Sequence, residues 1–184
     1  MRAFIAVDLD AEIKERLQAL VRDLRATRAD VRWVEAGGMH LTVKFLGQID
    51  DGRVGRIGEV LASVASRHRP FPLRLEGTGA FPNERGPRVL WVGCAADPGL
   101  AALQSEIDEA LEAEGFEREA RAFKPHLTLG RVKGPGRIDK AMAELARHKD
   151  DDFGAMTVAK VALFESLLRP QGAEYRVVAE AVLT

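Results

Sequence analysis

The chain has 184 residues, of which 46% are hydrophobic, and this is enough to bury the core of one compact domain. Its formal net charge of −1 argues against a protein that binds nucleic acid broadly along the backbone, while a small phosphate-bearing target remains compatible. A single cysteine excludes an intrachain disulfide, and no apolar run is long enough for a membrane span or a signal peptide, so we expect a cytoplasmic protein.

The first half of the chain predicts strands that alternate with two helices. Residues 4–8 form a short apolar run typical of a strand. Residues 11–26 and 53–66 carry apolar side chains at helical spacing, with charged side chains between them. Extended, β-rich sequence follows at 72–81 and 89–93.

The second half repeats this order when the sequence is shifted by 86 residues. Residues 90–94 then align with the first strand, and helical patterns recur at 98–114 and 137–148. Two β-rich segments, 156–164 and 175–183, complete the chain. We therefore predict one domain over 1–184 made of two pseudo-symmetric lobes, with sequence repeats at roughly 1–93 and 94–184.

A His-x-Thr-x motif occurs once in each half, as His40-Leu41-Thr42-Val43 and as His126-Leu127-Thr128-Leu129. Side chains alternate between the two faces of a strand, so the histidine and the threonine of each copy share a face while the leucines are buried. Continued alternation in the first copy predicts that Lys44 lies beside Thr42 and that Phe45 is buried.

Two histidines on facing strands suit general acid–base chemistry, because one ring holds a proton while the other accepts one. A single strand histidine is more often a hydrogen-bonded structural residue, but two copies in matching contexts favour a catalytic pair. Lys44 and Arg131 would add local positive charge near the motifs. Strict alternation points Arg131 away from Thr128, and a bulge at Gly130 would bring it back.

This pattern of elements favours an α+β fold in which two antiparallel sheets form a central groove with helices on the outside. A doubly wound parallel sheet is the alternative, but the sequence has neither a Gly-x-Gly-x-x-Gly nor a phosphate-binding P-loop motif. Clusters typical of zinc or calcium ligands are also missing from the sequence, so we expect no metal and no cofactor.

Several segments together resemble the 2H phosphoesterases. They are Arg32-Trp33-Val34, residues 39–47 around the first motif, Gly79-Ala80-Phe81-Pro82, residues 87–91, and residues 123–129 around the second motif. The chain is similar in particular to bacterial and archaeal RNA 2′,3′-cyclic phosphodiesterases, the LigT-like group formerly named 2′-5′ RNA ligases. The resemblance spans essentially the whole chain.

This resemblance implies a bilobal fold and the metal-independent hydrolysis of RNA 2′,3′-cyclic phosphate ends to 2′-phosphomonoesters. It also implies that His40 is the proton donor and His126 the proton acceptor. Thr42 and Thr128 would bind the phosphoryl oxygens, and Arg131 would contact phosphate. We expect RNA ends or nucleotides as partners, no membrane association, and a monomer.

Two other functions remain open at this point. Reversal of the same chemistry would give a 2′-5′ RNA ligase, and loss of catalysis would give an RNA-end or nucleotide-binding module, although both histidines and both threonines are present. Three aromatic residues are candidates for stacking on a base, and each of them also suits the core: Trp33, Phe81 and Phe123.

Overall fold

The computed structural model describes residues 1–184, with the side chain of residue 36 left aside. The described chain forms strands β1 (Arg2–Asp8), β2 (Val31–Trp33), β3 (His40–Gln48), β4 (Phe71–Phe81), β5 (Val89–Cys94), β6 (His126–Val132), β7 (Asp152–Val158), β8 (Lys160–Arg169) and β9 (Gly172–Val182). Its helices are α1 (Ala11–Arg25), α2 (Val54–Ala65), α3 (Pro98–Glu112) and α4 (Ile138–Ala146). Two short 3₁₀ helices cover Ala36–Gly38 and Asp51–Arg53.

The strands form two sheets. The first sheet has the order β3-β1-β8-β9, and the second has the order β2-β6-β5-β4-β7. Every pair of neighbouring strands is antiparallel. The predicted α+β class is therefore confirmed, and the parallel alternative is wrong.

Each sheet combines strands from both halves of the sequence. The short connection at residues 82–88 lets β4 pair with β5 as a local hairpin, which places β4 in the second sheet. β8 and β9 return from the end of the chain to pair with β1 in the first sheet. The two sheets in space therefore do not coincide with segments 1–93 and 94–184, although one His-x-Thr strand lies in each sheet.

The β-rich segment predicted at 156–164 is two strands rather than one. β7 ends at Val158 and pairs with β4, whereas β8 begins at Lys160 and pairs with β1. The chain thus crosses from one sheet to the other at Ala159, and the β-rich sequence at 156–164 contains no turn residue that signals the crossing.

All four predicted helices are confirmed: each begins at or one residue after its predicted start, and each ends one or two residues before its predicted end. The start of α3 shows the local cause: Asp97 accepts a hydrogen bond from the Gly99 amide at 2.8 Å, and Pro98 occupies the first turn. None of the described helices is long and apolar enough to span a membrane.

β1 carries buried apolar side chains on both of its faces. Ile5 and Val7 point into the main core, which the helices cover from outside. Phe4 and Ala6 point to the opposite face, where they pack with Ala162 and Phe164 in a separate cluster against Tyr175. This aromatic cluster lies on the face of the first sheet that carries His40.

Candidate active site

The two His-x-Thr strands lie next to each other where the sheets meet. β3 is the edge strand of the first sheet, and it contacts β6 of the second sheet. The cause is local, because β2 pairs with β6 and residues 34–39 then lead directly into β3. The Val34 amide donates a hydrogen bond to the Leu129 carbonyl at 2.8 Å, which fixes this crossing.

A β-bulge interrupts β3 just after Thr42. Ala6 of β1 pairs with Thr42 and Ile5 pairs with Lys44, so Val43 is an extra residue on β3. The bulge inverts the alternation that follows it: Lys44 is buried, and Phe45 is 69% exposed. Both predictions from strict alternation, Lys44 in the groove and Phe45 in the core, are therefore wrong.

An equivalent bulge interrupts β6 just after Thr128. Trp91 of β5 pairs with Thr128 and Leu90 pairs with Gly130, so Leu129 is the extra residue. Leu129 and Gly130 are both buried, and Arg131 is exposed. The bulge therefore turns Arg131 to the face that carries Thr128.

The Lys44 ammonium group finds its partners inside the protein. Its ammonium group forms an ion pair with Asp108 and donates a hydrogen bond to the Glu117 carbonyl at 2.7 Å. The Lys44 residue is 7% exposed. An ammonium group bound in this way lies away from the groove, which is why the predicted substrate contact is wrong.

Aromatic rings surround His40. Its imidazole stacks on Phe4 and Phe164, with ring centres 5.0 and 4.9 Å away, and it meets the Tyr175 ring at a right angle with centres 4.7 Å apart. Burial lowers the pKa of His40, the Asp8 carboxylate raises it and the Lys14 ammonium lowers it, and together they bring it to about 4. His40 is therefore neutral at pH 7 in the free protein.

A backbone carbonyl orients His126. Its Nδ1 lies 2.7 Å from the carbonyl oxygen of Lys124. A carbonyl only accepts hydrogen bonds, so Nδ1 carries the proton and Nε2 of the neutral ring is free to accept one. The edge of this ring meets Phe81, with centres 4.9 Å apart.

Trp91 lies on the same side of the second sheet as Thr128. Its ring covers Gly79, where a Cβ atom would come within 2.3 Å of the indole, and it packs against Phe81 at 5.3 Å between ring centres. The indole Nε1 is buried and has no hydrogen-bond partner among the described residues.

The aromatic candidates from the sequence therefore separate into two groups. Phe81 lies beside His126, whereas Trp33 and Phe123 pack against the main core. Sequence reasoning missed Phe45 and Tyr175. For Phe45 the signal was present, because the shift of 86 residues aligns it with Arg131.

Comparison with known proteins shows the family. The family model of the 2′-5′ RNA ligase superfamily matches residues 4–168. The chain belongs to this superfamily. The resemblance inferred from the paired motifs is thereby confirmed.

Individual relatives match this chain over nearly its whole length. The RNA 2′,3′-cyclic phosphodiesterase of Methanothermobacter thermautotrophicus is 36% identical over 175 residues, which is 95% of each protein. A crystal structure of a protein from Thermus thermophilus matches with a TM-score of 0.83 and 31% identity, covering 100% of this chain and 98% of that one. Escherichia coli LigT, solved in complex with 3′-AMP, matches with a TM-score of 0.76 and 26% identity over the same shares.

A group of side chains with the spacing of metal ligands lies on other elements than the His-x-Thr strands β3 and β6. Among the residues described, Asp23, Glu144 and His148 form one such group, with ligand atoms within 4.8 Å of one another. His148 also bonds to Asp151 at 2.7 Å. Partial burial opposes protonation, but the hydrogen bonds to Asp151 and Glu144 outweigh it and raise the pKa of His148. This arrangement favours an ion-pair network at the end of α4.

Proposed function

We propose that the chain hydrolyses RNA-type 2′,3′-cyclic phosphodiesters to 2′-phosphomonoesters, without a metal, using His40 as proton donor and His126 as proton acceptor. The observation that carries the proposal is the meeting of the two His-x-Thr strands at the junction of the sheets. The name of the Methanothermobacter relative supports the same reaction.

The reaction requires an acid and a base on opposite sides of phosphorus. Water attacks phosphorus and loses a proton to Nε2 of His126, while the bond from phosphorus to the 3′ oxygen breaks. His40 donates a proton to that leaving oxygen. Afterwards His126 releases its proton to solvent and His40 takes one up, which restores both rings. One histidine from each sheet suits such in-line geometry.

The surroundings of the two rings support these roles. The Lys124 carbonyl favours the tautomer of His126 that accepts a proton on Nε2, and it stabilises the cation that forms. Aromatic burial makes a protonated His40 a strong donor. A bound cyclic phosphate would raise the pKa of His40 through its negative charge, so that protonation accompanies binding.

The remaining groove residues account for substrate binding. Thr42 and Thr128 would donate hydrogen bonds to the non-bridging phosphoryl oxygens, whose charge increases in the transition state. The matching bulges expose Phe45 on one strand and Arg131 on the other. A flat ring suits a nucleobase of any type, and a guanidinium suits a phosphate.

The decisive assay is turnover of cytidine 2′,3′-cyclic phosphate in excess EDTA, with the product identified by phosphorus NMR. We expect the 2′-phosphate at an unchanged rate, since the mechanism uses imidazoles in place of a metal-bound hydroxide. His40→Ala and His126→Ala should each lower kcat by at least about a hundredfold. His148→Ala, which changes the same residue type outside the groove, is the control and should keep full kcat.

Three results would contradict this proposal. They are loss of activity in EDTA with rescue by a divalent ion, near-normal kcat in a folded His40 or His126 variant, and joining of the cyclic phosphate to an added 5′-hydroxyl oligonucleotide in preference to hydrolysis.

A further inference from the structure

A buried ion pair lies directly behind the bulge of β3. Lys44 and Asp108 are 7% and 5% exposed, and their side chains contact each other inside the protein. Removing two charges from water is costly and is offset only when both groups find further partners. The identity of those partners therefore indicates what the pair is for.

The further partners of both groups belong to the segment between α3 and β6. Lys44 donates a hydrogen bond to the Glu117 carbonyl at 2.7 Å. Asp108 accepts hydrogen bonds from the Glu119 amide at 3.2 and 3.1 Å, and the Arg118 guanidinium lies 3.9 Å away. The ion pair thus binds three consecutive residues of a segment that has no regular secondary structure.

This segment, residues 113–125, delivers His126 to the start of β6. Arg53 supports its first part, because its guanidinium lies over the Phe116 ring at 4.2 Å. The last part includes Lys124, whose carbonyl holds the His126 ring. Lys44 therefore connects the strand that carries His40 to the segment that positions His126.

The second motif has no counterpart of this pair. The shift of 86 residues aligns Lys44 with Gly130 and Asp108 with Arg22. A Cβ atom at Gly130 would lie 2.6 Å from Val31 Cγ1, so no side chain fits behind the second bulge. Within the part of the chain that the structure describes, a buried ion pair of this kind therefore lies behind the first bulge only.

We infer that Lys44 and Asp108 are positioning residues that hold segment 113–125, and with it His126, in register with His40 and Thr42. The inference rests on the proposed function for its catalytic consequence. We call the contacts of this ion pair with residues 117–119 the tether. The tether is a property of the fold and is measurable without turnover.

The test replaces the ion pair with an apolar pair, Lys44→Met together with Asp108→Leu. Each single variant leaves a buried charge unpaired and loses stability, whereas the apolar pair restores packing. We expect a melting temperature within about 5 °C of wild type. Faster hydrogen–deuterium exchange should be confined to residues 113–125.

Turnover of the cyclic nucleotide then shows what the tether does. We expect kcat to fall at least about tenfold with KM within about twofold, because misplacing one member of the acid–base pair impairs the reacting geometry more than binding. The matched control is Arg176→Met with Glu165→Leu, an ion pair on the same sheet with a buried carboxylate. This control should keep wild-type kcat and exchange at 113–125.

Wild-type kcat in the apolar-pair variant would overturn the positioning role, and unchanged exchange at 113–125 would overturn the tether. Absence of turnover in wild type would instead contradict the proposed function. The exchange measurement would then decide alone whether the pair holds the segment.

Discussion

Single residues at this site owe their chemistry to what surrounds them. His40 and His126 occupy equivalent positions in sequence, yet aromatic rings surround one and a backbone carbonyl orients the other. The motif predicted which residues matter. It could not distinguish their roles, because Phe164 and Tyr175, which contact His40, come from β8 and β9 near the other end of the chain.

The buried His40 should make the protein less stable in acid. Its pKa is lowered to about 4, so between the unfolded value of about 6.5 and pH 4 the unfolded chain binds a proton that the folded chain does not. Stability is therefore lost as the pH falls through this window. From pH 7.5 to pH 5 this residue should account for a loss of about 2 kcal/mol.

Urea unfolding of wild type and His40→Gln at the two pH values measures this loss. The raised pKa of His148 acts in the opposite direction, but it is present in both proteins and cancels in the comparison. An identical pH dependence in the two proteins would show that His40 is not desolvated.

At the scale of elements, the paired bulges determine which side chains face the groove. Alternation correctly predicted Leu41 and Leu127 in the core, and it failed at Lys44 and Phe45, where one extra residue reverses the faces. The glycine at 130 signalled the bulge in the second copy. The first copy carries no such signal, because a lysine fills the space behind it.

Gly130→Ala should therefore destabilise the junction between β2 and β6. The added methyl group would lie 2.6 Å from Val31 Cγ1 and 2.7 Å from the Trp33 ring, so β2 must move. We expect a loss of about 1–3 kcal/mol in the free energy of unfolding, the usual cost of overpacking. Arg131 follows directly in the strand, so kcat should also fall.

Gly55→Ala in α2 is the matched control for chemical denaturation. Among the described residues, no atom outside its chain neighbours and the backbone of its own helix lies within 4 Å of the added Cβ, and alanine favours the helix, so stability should stay equal or rise. If Gly130→Ala were as stable as Gly55→Ala, the close approach of β2 would be refuted.

For the molecule as a whole, the two halves of the sequence are interleaved. Periodicity predicted the helices and most strands because those signals are local. Pairing between strands is not local, and nothing in the pattern of β8 indicates that it joins β1 rather than β7. The fold class was therefore predictable, and the assignment of strands to sheets was not.

Cutting the exposed turn at residues 82–88 should leave the protein assembled. Fragments 1–85 and 86–184 each lack strands that both sheets need, so neither fragment should fold alone. Cleavage at an inserted protease site should give a complex that migrates as the intact chain on gel filtration and separates only in denaturant. Two fragments that fold and migrate independently would contradict the interleaved topology.

The position of β1 between β3 and β8 also affects how the chain emerges from the ribosome. β1 is synthesised well before β8, so the first sheet gains its central pairing only after all the elements between these two strands have been made. Until then the aromatic side of β1 stays uncovered, and such surfaces are prone to aggregate or to bind chaperones. The nascent chain should therefore acquire the His40 site only after β8 and β9 have left the ribosome, and slow translation ahead of β8 should extend the period of exposure.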